Sequence, residues 1–373
     1  MLLSLIALHF ALGVTAAWWV RLLGRNAFLV VAIAPAIGFG WLLTLAPAVQ
    51  SGSAFVEVTP WIRSLAVSLS FHVGLLQWLL ALLVTGIGVV VLAYCRWYFT
   101  NPPARTLGLL VAFAGAMLGL VTADDLVVLY VFWELTTVFS YLMIGHDSSR
   151  RANRAAATTA LIVTTTGGLA MLVGIVTFGT LTGTFRLQAI LAAAPEGPAP
   201  TAAALLMLVG AMSKSALAPF HFWLPGAMAA PTPISAYLHA ATMVKAGVYL
   251  VAALAPVFAG VLFWRETLTI LGATTMILGG WRSLRQTDLK LLLAYGTVSQ
   301  LGFVTMLVGI GTQAAGQAGL AMLLAHALFK AALFLTVGVV DVTTGTRDIT
   351  KLTGLARRMP LLAVASGLAA ASM

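Results

Sequence analysis

The chain has 373 residues, of which 61% are hydrophobic and only 8% are charged, and its mean hydropathy is +1.03. About a quarter of the residues of a typical soluble domain are charged, so this composition excludes a soluble protein and indicates a polytopic helical membrane protein. The single cysteine, Cys95, excludes a disulfide framework and a cysteine metal cluster.

Long apolar stretches recur along the whole sequence, and each is predicted to cross the membrane as a helix. The predicted spans are 1–20, 27–48, 70–94, 106–123, 126–145, 155–181, 201–226, 234–258, 264–281, 291–311, 315–340 and 360 to the end. The first span lacks a charged leader and a clear cleavage site. We therefore interpret it as a retained helix rather than a signal peptide.

The basic residues predict which way the chain crosses the membrane. If the amino terminus lies outside, only Arg63, Arg186 and Arg265 fall in outer loops. Most of the 20 lysines and arginines then lie in loops on the inner side: Arg21, Arg25, Arg96, Arg105, Arg150, Arg151, Arg154, Arg282, Arg285, Lys290, Arg347, Lys351, Arg357 and Arg358. This asymmetry follows the positive-inside rule. The net charge of +10 therefore reflects topology and does not indicate nucleic-acid binding.

A few charged residues fall inside the predicted spans, namely Glu134, Lys214, Lys245 and Lys330. A lysine at the centre of a membrane helix costs about 2.5–3.5 kcal/mol even on the lenient insertion scale, so each needs a function or a partner. Desolvated lysine exchanges its proton readily, which suits it to a proton path. A static ion pair between Glu134 and Lys214 that only stabilises the bundle is the alternative.

Four prolines interrupt the apolar sequence over residues 205–250, at Pro219, Pro225, Pro231 and Pro233. Prolines at membrane depth release backbone carbonyls from the helix, and these groups persist only where protein or a water-filled cavity surrounds them. Broken helices that carry buried charges are typical of ion paths. The sequence therefore indicates a proton or cation transporter.

Three histidines extend the set of titratable groups within the spans. His326 and Lys330 are four residues apart and share a helix face, which favours a relay. His239 precedes Lys245 by six residues, about 240° around an ideal helix, so these two are predicted on different faces. A hydrogen bond from His239 to a neighbouring carbonyl is its alternative role. His221 follows the first break and is either part of the path or a cap for freed backbone.

Other kinds of chemistry find no support in the sequence. It contains no nucleophile–base arrangement, no glycine-rich phosphate loop and no metal-ligand cluster. We therefore predict neither enzymatic catalysis by this chain alone nor a cofactor. A faint internal repeat relates the segment that opens at Asp125 to the one that opens at Asp288, an offset of 163 residues. Transporters are often built from such repeats in inverted orientation.

The chain resembles the antiporter-like membrane subunits shared by respiratory complex I and the Mrp-type multisubunit Na⁺/H⁺ antiporters, and among these the largest resemblance is to the A-type member of the Mrp group. The strings that carry the resemblance are VLYVFWELTTVFSYLMIG, MSKSALAPFHFWLPGAMAAPTPISAYLHAATMVKAGVYL, DLKLLLAYGTVSQLG, AHALFKAALFLTVG and TGTRDITKLTGLARRMP. The resemblance implies that Glu134, Lys214, His239, Lys245, His326 and Lys330 form the ion path.

The resemblance also implies an all-α helical bundle with two inverted five-helix repeats that contain broken helices. Residues 1–104 would form the amino-terminal helices, residues 105–262 the first repeat with the ion path, and residues 263–373 the start of the second repeat. The same 163-residue offset from Lys214 points to position 377, beyond Met373. The second repeat is therefore expected to be incomplete and the chain truncated relative to the family.

By this resemblance, the expected function is proton translocation in a monovalent cation/proton antiporter complex, with H⁺ and Na⁺ as the transported ions. The expected partners are other membrane subunits of a hetero-oligomeric complex and the lipid bilayer of the cell membrane. Two alternatives stay open. One is a proton-pumping membrane subunit of an NADH:quinone oxidoreductase, and the other is a structural or assembly subunit that does not transport.

Overall fold

The computed structural model describes residues 1–261 and 263–373. The chain begins with five short helices: α1 (Leu2–Val14), α2 (Ala16–Leu23), α3 (Ala27–Val31), α4 (Ile33–Thr44) and α5 (Ala46–Gln50). The chain reverses at Gly24, whose φ of 54° is in the region that favours glycine. Helix α2 packs against α3, and α1 packs against α4. The first two predicted spans therefore form an antiparallel pair.

A β-hairpin follows these helices and adds to the predicted helical bundle. Strand β1 (Phe55–Ile62) pairs antiparallel with strand β2 (Val67–Val73). The predicted span 70–94 therefore begins later than expected, because its first residues belong to β2. The hairpin is tied to the bundle through Ser70, whose hydroxyl donates to the buried carboxylate of Asp124 at 3.2 Å.

The next helices match the predicted spans closely. They are α6 (Leu75–Tyr98), α7 (Ala104–Thr122), α8 (Leu126–Ile144) and α9 (Arg151–Thr182), followed by the short α10 (Leu187–Ala193). Helix α7 is almost entirely buried and packs against α1, α6 and α8. It forms the centre of the bundle against which the path-bearing helix α8 is held.

Both proline-rich spans are broken, as predicted. Helix α11 (Pro198–Lys214) ends at its lysine, and the chain regains helical structure only at a 3₁₀ turn over Phe220–Phe222 and at α12 (Trp223–Gly226). The second broken span consists of α13 (Thr232–Ser235), a π-helical turn over Ala236–Ala241, and α14 (Lys245–Phe258).

The remaining helices complete the bundle. They are α15 (Trp264–Ser283), α16 (Leu289–Gly309), α17 (Gln313–Thr344), α18 (Leu355–Arg358) and α19 (Pro360–Ala371). Helix α15 packs along α16, and α17 packs against both α16 and the π-helical turn. Two buried lysines, one on α14 and one on α17, are thereby enclosed by the same helices.

Eight helical stretches of the described chain are long and apolar enough to cross a membrane. They are Ala16–Thr44, Leu75–Tyr98, Ala104–Thr122, Leu126–Ile144, Arg151–Thr182, Thr232–Phe258, Leu289–Gly309 and Gln313–Thr344. The first of these stretches includes the reversal at Gly24. The other predicted spans are helical as well, over α1, α11, α15 and α19. The chain is therefore a membrane protein built from helices.

Two loops of the bundle are built alike, in agreement with the internal repeat seen in the sequence. Asp125 caps the start of α8 by accepting from the amides of Val127 and Val128, and Asp288 caps α16 in the same way. Each cap lies beside a Thr-Gly-Thr loop whose glycine has positive φ, 70° at Gly183 and 72° at Gly345. Five membrane crossings separate the two caps, so the two corners lie on opposite faces of the bundle.

The backbone hydrogen bonds of the two corners correspond as well. The amide of Leu126 donates to Phe185 at 2.8 Å, and the amide of Leu289 donates to Arg347 at 3.0 Å. An arginine contacts an aspartate in each corner, Arg186 with Asp124 at 2.8 Å in the first and Arg347 with Asp288 at 3.2 Å in the second. The repeat is therefore visible in the contacts of the folded chain.

Candidate proton path

Lys214 is the last residue of α11, and its side chain is completely buried. Its ammonium group donates to the carbonyl of Trp133 at 2.9 Å and to the hydroxyl of Thr137 at 2.7 Å, both on α8. The same nitrogen lies 5.1 Å from the centre of the Trp133 ring. The charge at the end of α11 is thus held against the middle of α8 by neutral acceptors and an aromatic face.

Glu134 lies in the same turn of α8 and is half-buried. Its Oε1 atom is buried and accepts no hydrogen bond from any residue that the structure describes. Within residues 1–261 and 263–373, no ion pair within 4.0 Å joins this carboxylate to Lys214. The two groups are neighbours that do not touch, so the static ion pair considered from the sequence is not formed here.

Two glycines on α9 make room for this arrangement. A side chain on Gly168 would collide with the Glu134 carboxylate, and one on Gly167 would collide with the Ser213 hydroxyl. Small residues at such positions let neighbouring membrane helices come close together. Helix α9 therefore approaches both α8 and α11 at the level of the buried charges.

The break after Lys214 is enclosed by protein. The Ser215 hydroxyl donates to the carbonyl of Val244 at 2.7 Å, and the amide of Ala218 donates to the hydroxyl of Thr275 at 2.8 Å. The indole of Trp223 donates to the carbonyl of Ser213 at 2.9 Å. Side chains from the break and from α15 thus satisfy backbone groups that the proline-rich sequence releases, as non-helical backbone at membrane depth requires.

Lys245 begins α14 on the far side of the second break, and it too is buried. Its ammonium group donates to the carbonyl of Ala240 in the π-helical turn. The chain leaves helical geometry at Thr242, which has φ −131° and ψ −83°. The predicted separation of 240° between His239 and Lys245 assumed an ideal α-helix. It is wrong, because the intervening backbone is not an α-helix.

His239 lies within this π-helical turn and is fully buried. Neither ring nitrogen has a hydrogen-bond partner among the described residues. Its ring centre lies 6.0 Å from that of Trp223, which belongs to the first break. The alternative in which His239 bonds to a neighbouring carbonyl is not formed in this structure, and the two breaks meet at this histidine.

His326 and Lys330 lie one turn apart on α17, and both are buried. The ammonium group of Lys330 lies 3.4 Å from the carbonyl of Leu293 on α16, and Gly296 leaves the space that it occupies. His326 has Lys245 and Lys330 as its charged neighbours. The structure therefore brings Lys245, His326 and Lys330 into one group between α14 and α17.

His221 is placed differently from the other histidines. It lies in the 3₁₀ turn after the first break, where it is half-buried, and its charged neighbour is Arg282. The carbonyl of Pro219 lies close to its ring. This position fits the capping alternative for His221 better than a place in the line of lysines.

Lys290, which the sequence places in an inner loop, is a further buried lysine. The structure leaves 1% of it exposed and directs its ammonium group to the carbonyls of Met228, at 2.9 Å, and Ala230. The predicted start of its span at 291 placed it just outside the helix, whereas α16 begins at Leu289. The cap at Asp288 was the signal that could have placed it inside.

Lys290 also lines a cavity of about 340 Å³ at this end of the bundle, which we call the inner cavity after the orientation predicted from the basic residues. His146, Asp147, Thr232 and Asp341 are among its other lining residues. Lys290 is in turn the charged neighbour of His239. One lysine thus lines the polar region at the surface and lies within electrostatic reach of the buried histidine.

The described geometry can be compared with known proteins. Residues 123–373 match the family described as NADH:quinone oxidoreductase/Mrp antiporter, TM. The A-type subunit of the Na(+)/H(+) antiporter of Alkalihalophilus pseudofirmus is 42% identical over 365 residues, which cover 92% of this chain and 45% of that protein. The probable A/B-type subunit of the K(+)/H(+) antiporter of Rhizobium meliloti is 42% identical over 334 residues, 88% of this chain and 33% of the relative.

Solved structures show the same relationship. A chain of the Mrp complex from Dietzia sp. DQ12-45-1b superposes with a TM-score of 0.92 and 40% identity, covering all of this chain and 41% of that one. A chain of respiratory complex I from Thermus thermophilus superposes with a TM-score of 0.85 and 27% identity, covering 98% and 76%. This chain spans less than half the length of the antiporter relatives. It belongs to the NADH:quinone oxidoreductase/Mrp antiporter membrane family.

Proposed function

We propose that this chain is the proton-translocating part of a monovalent cation/proton antiporter subunit. The observation that carries the proposal is the set of buried lysines, Lys214, Lys245 and Lys330, whose ammonium groups contact carbonyl or hydroxyl oxygens and no carboxylate in the described structure. A buried ammonium that lacks an acidic partner exchanges its proton more readily than a paired one. The antiporter names of the relatives at 42% identity support the same activity.

Glu134 would act as the switch for the first lysine. Its Oε1 atom, which accepts no hydrogen bond, lies in the turn that holds Lys214, so a side-chain movement would bring the carboxylate to the ammonium group. Approach would hold the proton on Lys214, and separation would release it towards the group around Lys245 and Lys330. In this proposal residues 105–262 contain the first half of the path and residues 263–373 contribute the rest.

The transported cation, the partners and the membrane are part of the same proposal. One relative is named for Na⁺ and another for K⁺, which supports a monovalent cation, and we propose Na⁺. The solved relatives come from multisubunit assemblies, an Mrp complex and respiratory complex I, which supports a hetero-oligomer with other membrane subunits. The cell membrane is the proposed location.

The amino terminus is proposed to lie outside, because the inner loops then carry most of the arginines. In a Cys95→Ala background, Ser149→Cys should react with a membrane-impermeant thiol reagent only from the inner side. Glu196→Cys, in the loop before α11, should react only from the outer side. Reversed labelling of the two positions would contradict this orientation.

Antiport is tested with the full-length protein and its partner subunits reconstituted in sealed vesicles. An imposed Na⁺ gradient should drive a change of internal pH without NADH or quinone, followed with a pH-sensitive dye. Vesicles that lack the complex are the control. A complex whose proton movement requires NADH oxidation would instead support the complex I alternative. That alternative is based on the 27% identity to the Thermus thermophilus chain.

A further inference from the structure

A second cavity lies at the opposite end of α14 from the inner cavity. It has a volume of about 660 Å³ and forms where α6 and α17 begin and where α14 and α16 end. We call it the vestibule. Its lining residues include His72, Gln77, Gln188, Ala253, Gln313 and Gln317. The inner cavity lies where α16 begins, so the two cavities open on opposite faces of the bundle.

The vestibule is suited to hold water. Glutamines from three helices, α6, α10 and α17, line it in a chain that is otherwise strongly apolar. Its volume corresponds to roughly twenty water molecules at about 30 Å³ each. Burial lowers the pKa of His72 below its ordinary value, against the opposing field of Asp124, so its imidazole is neutral near pH 7. The lining is mostly apolar, and its polar groups are four glutamines, Thr312 and the neutral imidazole of His72.

Tyr249 lies deeper in the bundle than the vestibule and does not itself line the cavity. It is one helical turn before Ala253 on α14, and only 1% of it is exposed. Its hydroxyl lies within reach of the Gln77 side chain, although no hydrogen bond of full geometry joins the two within the described part of the chain. A buried hydroxyl of this kind normally has a partner, and water is the common one. Pro256 has no amide hydrogen, so it cannot donate to the carbonyl of Ala252 in the vestibule wall. That carbonyl is therefore a second polar group without its helical partner.

The step from Tyr249 to Lys245 is one further turn along the same helix face. Four residues advance about 6 Å along a helix, so the backbone of α14 places Tyr249 between Lys245 and Ala253. The ammonium group of Lys245 is directed to Ala240, on its other side. On that side, Lys245 follows the π-helical turn that holds His239, the neighbour of Lys290 and the inner cavity. Polar and titratable side chains thus occur at intervals along the one broken span, between the two cavities.

We propose that Tyr249, supported by Gln77, is the outer gate of the proton path and links Lys245 to water in the vestibule. The inference deepens the proposed function and rests on it. The tyrosine hydroxyl would pass a proton between vestibule water and the lysine by donating one hydrogen bond and accepting another, while its ring fills the space that would otherwise let water through. The geometry assigns the outer opening of the path to α14.

Water access is tested by thiol labelling, which does not depend on transport. In a Cys95→Ala background of the full complex, Ala253→Cys and Tyr249→Cys should react with an impermeant thiol reagent from the outer side. Leu250→Cys, fully buried on another face of α14, is the matched control and should stay unlabelled. Labelling of Ala253→Cys and Tyr249→Cys no faster than that of Leu250→Cys would overturn the vestibule as the outer opening.

The link to Lys245 is tested by flux. Tyr249→Phe keeps the ring and removes the hydroxyl, and cation-driven proton flux should fall about tenfold or more, towards the range for a lost proton-transfer group. Tyr141→Phe is the matched control on α8. Wild-type flux in Tyr249→Phe would overturn the gate. A wild-type complex without any cation-driven flux would instead reject the proposed function and leave the labelling result standing.

Discussion

Replacing Lys214 with alanine is expected to abolish cation-driven proton flux by the full-length complex in sealed vesicles. The ammonium group of Lys214 is the only charge that α11 brings into the described core, and it is anchored to α8 beside Glu134. Alanine removes the proton carrier and leaves the Trp133 carbonyl and the Thr137 hydroxyl without its hydrogen bonds. The measurement is the initial rate of internal pH change after a Na⁺ gradient is imposed.

Glu134→Ala should give the same loss for a different reason. It leaves the lysine in place and removes the carboxylate that would hold and release its proton. Lys351→Ala, at a lysine whose side chain is 71% exposed, is the matched control and should keep wild-type flux. Thermal unfolding of each variant in detergent separates loss of transport from loss of folding. Wild-type flux in both Lys214→Ala and Glu134→Ala would reject the path.

Gly247→Ala is expected to destabilise the protein at the point where the two broken spans meet. An added methyl group on Gly247 would collide with the carbonyl of Ala211 and the hydroxyl of Ser215. One partner is helix backbone and the other is held by its bond to Val244, so neither can move freely. Overpacking of this kind costs about 1–3 kcal/mol, which should lower the Tm measured in detergent by several degrees.

A glycine with free space around it provides the control for this variant. Gly40 lies within α4 and has no atom within 4 Å of an added methyl group. Gly40→Ala should leave the Tm unchanged or raise it slightly, because alanine favours the helix by up to about 1 kcal/mol. If both variants melt together, the contact between α14 and the first break is looser than the structure indicates.

Much of the fold followed from simple features of the sequence. Runs of apolar residues located the spans because a membrane helix must cover its backbone with nonpolar side chains. The prolines located both breaks, because they cannot continue the backbone hydrogen bonding of a helix. The buried charges could be located from the sequence because Lys214, Lys245 and Lys330 interrupt otherwise apolar helices.

Other features depend on contacts between distant segments and were not predicted. The hairpin of β1 and β2 is stabilised by pairing and by Asp124, which lies 54 residues from Ser70. Lys290 is buried because carbonyls of Met228 and Ala230, in the turn that connects the two broken spans, accept from it. The π-helical turn at Ala236–Ala241 changes the angular position of His239 in a way that an ideal helical period cannot describe.

The two alike corners have a consequence for how such a chain could be assembled during evolution. Each corner is held by its own cap, loop and arginine, and the cap and backbone bonds are alike although the two corners lie on opposite faces of the bundle. A duplicated copy could therefore settle upside down without losing its local structure. The structure of the corner does not depend on its orientation in the membrane. The arginines of the flanking loops set that orientation, and they can change one substitution at a time.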